Sequence, residues 1–127
     1  MAFIKYENGF HGTYDVNGFT IKIGREEGSV APYDMTDGAM ASCLYATYLD
    51  LIEEKHLVIK GADIDISGIK REMIPTTLEE LTIKITVYSD EELDILQHTF
   101  NQALATCSMV QTFKLVATIH TEFILER

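Results

Sequence analysis

Tryptophan is missing from these 127 residues, proline and cysteine occur twice each, and basic residues number ten against twenty acidic ones. Each shortage excludes something. A net charge of −10 repels a phosphate backbone, and there is no basic patch with interleaved aromatics, so neither nucleic acid nor an anionic membrane surface is expected as a partner. Apolar runs all stop short of the roughly eighteen residues that a spanning helix needs. The opening MAFIKYENGF lacks the basic stretch and long apolar core of a secretory signal, so the expected compartment is the cytoplasm. Structural disulfides are rare there, and a cysteine pair is more often redox-active or metal-binding. Metal is a poor fit, because neither Cys43 nor Cys107 has a second ligand at the two-to-four spacing of zinc sites, and His11, His56, His98 and His120 are scattered. A Cys-x-x-Cys pair is missing too, which removes a thioredoxin-type site.

What is present reads as one domain over 1–127, large enough to bury a core without staples. The first twenty-odd residues alternate like antiparallel strands, and Asn17-Gly18 is a hairpin turn that sets Phe19, Ile21 and Ile23 on one face. Pro32 suits the first turn of a helix running to about Lys55, with Met40, Leu44, Thr47 and Leu51 as its stripe. The other side holds Ala39, Ala41, Cys43, Ala46 and Tyr48, so a helix buried on most sides is expected. Two alternating stretches follow, one carrying Ile64 and Ile66, the other Leu81, Ile83, Ile85 and Val87. Ser89 with Glu92 forms a capping-box signature for a second helix whose stripe is Leu93, Leu96, Phe100 and Leu104. KLVATIHTEFILE closes the chain as a strand. Strands bracket both helices without strict alternation, which defines an α+β fold.

Taken singly, a mid-helix cysteine is more often packing than chemistry. Its surroundings point further. The stretches APYDMTDGAMASCLYATYLDL and ATCSMVQTF resemble the OsmC/Ohr family of thiol-dependent peroxidases. In that family a proline ends a loop, the first cysteine follows eleven positions later on a long helix after small residues, and the second lies in a motif like A-x-x-C-P-V-S-Q-x-L. Here Pro32 and Cys43 keep that interval, with Ala39, Ala41 and Ser42 before the thiol. ALATCSMVQTF keeps alanine, cysteine, a valine shifted by one, and Gln111. The cysteine separation and the order of elements fit as well.

The resemblance implies an antiparallel sheet wrapped around a long central helix, in an intertwined homodimer. It also implies a peroxidase that reduces organic hydroperoxides or hydrogen peroxide in oxidative stress defence. Cys43 would pass through a sulfenic acid to a Cys43–Cys107 disulfide, reduced by an external dithiol with no bound cofactor. Cys43 is about 18 Å into its helix, beyond reach of the dipole, and burial opposes ionisation, so a cation is expected to help. The family's arginine corresponds to Arg25 in IGREEGSVAP. Read by itself, Arg25 is also an ordinary surface residue beside Glu26 and Glu27. The family's glutamate after the proline is replaced by Tyr33, and Asp34 next to it reads as a cap on the helix start. That departure keeps a second expectation open: a catalytically weak relative serving as a small-ligand binder or redox sensor. Met40, Tyr45 and Phe113 read as core that could line a pocket.

Overall fold

The computed structural model describes residues 3–127. They divide into two compact units, one up to Asp37 and the other Gly38–Arg127. In the first unit, Asn17 and Gly18 both take positive φ (49° and 74°), the pairing that a two-residue type I′ hairpin turn demands. The turn joins β2 (Gly12–Val16) to β3 (Phe19–Ile23), and β1 (Phe3–Tyr6) pairs antiparallel on the far side of β2. The face expected from alternation is graded in burial, from an exposed Phe19 through a half-buried Ile21 to a buried Ile23.

Helix α1 (Pro32–Glu54) begins as the proline predicts. Asp34 reaches back to accept the Ala31 N–H at 3.1 Å, which satisfies one of the unpaired donors of the first turn. Its far end is a Schellman closure. His56 takes a left-handed φ of 58°, its N–H donates to Glu53, and the Leu57 N–H reaches back to Ile52 at 2.9 Å.

The second unit is built on β5 (Leu78–Tyr88), the middle strand of three. Leu81, Ile83, Ile85 and Val87 are all fully buried, each contributing about 1.5–3 kcal/mol by leaving water. β4 (Gly61–Lys70) pairs antiparallel with it, setting Ile64 opposite Ile85 and Ile66 opposite Ile83, while Asp65 faces Lys84 on the outer side. Gly68 opposes Leu81, and a Cβ there would come within 3.0 Å of Leu78 Cδ2. β6 (Thr118–Glu126) lies on the other edge and runs parallel to β5, so the expected antiparallel pattern is corrected at this pairing. Parallel neighbours need a crossover. Here it is made by α2 (Leu93–Thr106) and α3 (Ser108–Lys114), the latter not anticipated from the sequence.

Helix burial departs from the expected stripes. On α1 the buried row is Met40, Leu44, Tyr48 and Ile52, with Thr47 and Leu51 only half-buried. Tyr48 was placed on the opposite side; it goes inside because its hydroxyl donates to the Leu96 carbonyl at 3.1 Å. α1 is not buried all round: Gly38, Ala39, Ser42 and Ala46 are exposed in the single chain. On α2 the row is Leu96, Thr99, Phe100 and Ala103, and Leu93 is exposed. The capping box is not formed. Ser89 instead donates to the Val58 carbonyl at 2.6 Å and accepts the Glu91 N–H, while α2 starts at Leu93 without a side-chain cap. Lys114–Ala117, expected in the last strand, complete α3 and its exit. No helix among the described residues is long and apolar enough to cross a membrane.

Candidate functional site

Cys43 projects half-buried from the middle of α1, and Cys107 is fully buried between α2 and α3. Their sulfurs lie 3.4 Å apart although the residues are 64 positions apart in sequence. Two features put Cys107 there. The chain leaves helical conformation at that one residue (φ −69°, ψ 118°), so it ends α2 and opens α3 at once. The Gln111 side-chain amide donates to the Leu104 carbonyl at 2.9 Å, tying the first residues of α3 to a carbonyl that the end of α2 leaves unpaired.

The two thiols have opposite acidities. Cys43 is held below the ordinary cysteine range, first by the Met109 backbone N–H, then by the Cys107 thiol, against a smaller opposing effect of burial. The Ser108 and Thr47 hydroxyls act in the same direction. Thr47 gives its proton to the Cys43 carbonyl at 2.9 Å, so we assign the sulfur's support to Met109, Cys107 and Ser108. Cys107 is pushed up, chiefly by burial, with the neighbouring Cys43 adding to it. The Cys107 S–H accordingly donates toward Cys43. Cys43 is the more readily ionised thiol of the pair and Cys107 the less.

A pH series of iodoacetamide alkylation checks this order. Ionisation creates the nucleophile, so reaction at Cys43 is expected to rise through a midpoint below the ordinary cysteine value. Cys107, raised by burial, is expected to react only above it. Equal midpoints by peptide mass spectrometry would contradict the assignment.

Arg25 lies in the first unit, exposed, with its guanidinium over the Phe10 ring at 5.1 Å from the centroid. Glu26 beside it pairs with His11 at 3.2 Å. Asp34 caps the start of α1. Met40 is fully buried, and Tyr45 and Phe113 pack half-buried against the same core. Ser108 and the Met109 amide were missed, because their role depends on α3. The signal for it lay in the motif: proline follows the second cysteine there, a residue that favours the first position of a helix.

This chain has the fold of the OsmC-like and Ohr proteins. An OsmC-like protein from Mycoplasma pneumoniae superposes with a TM-score of 0.90 at 14% identity, covering 100% of this chain and 96% of that one. A hypothetical protein from Aquifex aeolicus gives 0.87 at 18% identity, over 99% and 95%. The organic hydroperoxide resistance protein OhrB of Bacillus subtilis gives 0.71 at 16% identity, over 97% of each chain. No family model and no curated protein matches the sequence.

Proposed function

We propose that this protein is a thiol-dependent peroxidase acting on organic hydroperoxides or hydrogen peroxide in oxidative stress defence. The observation that carries it is the sulfur pair: 3.4 Å apart, one thiol more acidic and one less acidic than usual. The shared fold supports it, since solved proteins with this fold include organic hydroperoxide resistance proteins.

In this reading the Cys43 thiolate attacks the terminal oxygen of the hydroperoxide. An S–O bond forms, the O–O bond breaks, and the leaving alkoxide takes a proton from water and departs as alcohol. Cys43 is now a sulfenic acid. As the Cys107 sulfur attacks it, its proton passes to the sulfenic oxygen: the S–S bond forms, the S–O bond breaks, and the oxygen leaves as water. The sulfurs have to close from 3.4 Å to a bond of about 2.05 Å. An external dithiol in the cytoplasm reduces the disulfide by exchange, taking up the oxidation. Arg25 is the fixed cation in this scheme on its sequence position alone. A homodimer is part of the reading, because the exposed Gly38, Ala39, Ser42 and Ala46 face of α1 allows close approach of a second backbone.

One equivalent of cumene hydroperoxide is expected to convert the reduced protein to a species two hydrogen atoms lighter, with Cys43 joined to Cys107 in its peptide map. Unchanged mass with both thiols free would refute the peroxidase. A disulfide that forms but is not turned over by lipoyl-type dithiols or monothiols would favour the redox-sensor alternative.

A further inference from the structure

Ser108 occupies the first position of α3, exposed to solvent, with its hydroxyl oxygen 3.8 Å from the Cys43 sulfur. Of the groups around that sulfur it is the one whose proton can both rotate and face the solvent. The Met109 N–H is fixed in the α3 backbone, and Cys107 is fully buried. We propose that Ser108 is a further residue of the peroxide reaction: its hydroxyl donates to the Cys43 sulfur before attack and to the transferred oxygen as the S–O bond forms. This rests on the peroxidase reading above.

A donor that moves suits this chemistry. Before attack, the negative charge is on sulfur. As the O–O bond breaks, its electron pair leaves on the alkoxide, and the sulfur now bears an oxygen that needs a partner of its own. A hydroxyl turning about its Cβ–Oγ bond follows that shift, whereas a backbone amide remains aimed at the sulfur's original position. The loss of one net hydrogen bond at the transferred oxygen corresponds to a factor of about five to ten in rate.

Three variants separate the hydroxyl from the helix. Ser108→Ala removes it. Ser108→Pro removes it while suiting the first helical position, where the backbone N–H has no intrahelical partner. Ser108→Thr keeps it. The rate of Cys43 oxidation by cumene hydroperoxide, measured by rapid mixing, is expected to fall about five- to tenfold in the alanine and proline variants and to stay within about twofold in the threonine variant. The alkylation midpoint of Cys43 should rise in the first two and hold in the third. Alanine and proline variants matching the parent in both measurements would overturn the role of Ser108 and leave the peroxidase intact. A parent protein inert to hydroperoxide would overturn both.

Discussion

Replacing Cys43 with serine is expected to lower the rate of hydroperoxide consumption by roughly a thousandfold or more, to the uncatalysed background. A serine hydroxyl stays protonated where the Cys43 thiol ionises, and the Met109 N–H that holds the thiolate has no anion to hold. The reciprocal change behaves differently. Cys107→Ser keeps the attacking sulfur, so the first equivalent of peroxide should still react, leaving one added oxygen atom on Cys43 in the intact mass and no disulfide. Turnover should then stop, and excess peroxide should carry the sulfenic acid to the irreversible sulfinic state. If Cys43→Ser retains the parental rate, the attacking residue has been misassigned. If Cys107→Ser turns over normally, the resolving thiol has been.

The largest expected loss of stability lies at Phe100. Its ring is 1% exposed, meets Tyr48 edge-on at 5.5 Å between centroids and lies tilted at 5.6 Å from Phe123, so it joins α1, α2 and β6 in one contact. Phe100→Ala should cost about 3–5 kcal/mol in denaturant unfolding, the transfer loss plus the cavity left behind. That is a large share of the 5–15 kcal/mol typical of a whole protein, on the order of one fifth or more. Should the alanine variant not accumulate, Phe100→Leu is expected to cost about 1.5 kcal/mol or less and keeps the test measurable. A loss under about 1 kcal/mol for the alanine variant would mean the ring contributes little packing.

What the sequence told and withheld follows from range of interaction. Local signals read directly: Asn17-Gly18 fixes its turn through two left-handed residues, and Pro32 marks the helix start. The alternation of β5 was legible because both faces of a strand are written two residues apart. Stripe positions were less so. Tyr48 was misplaced because its burial depends on a carbonyl 48 residues away, which no local pattern reports. The Ser89 signature failed for a similar reason, its hydroxyl being taken by Val58. At the site, Cys43 and Cys107 were legible as a pair only through resemblance to a family motif. The groups that set their acidity were not, since the break between α2 and α3 falls at Thr106-Cys107-Ser108, with neither glycine nor proline to mark it. To the cation expected from the sequence, the second unit adds hydrogen-bond donors that lower the Cys43 thiol.

The parallel placement of β6 beside β5 has a consequence for how redox chemistry is contained. The segment bearing Cys107 leaves one strand and returns along its immediate neighbour, so both of its ends are fastened to the same sheet. In the proposed cycle, the 3.4 Å between the sulfurs would close within a segment anchored at both ends to one sheet.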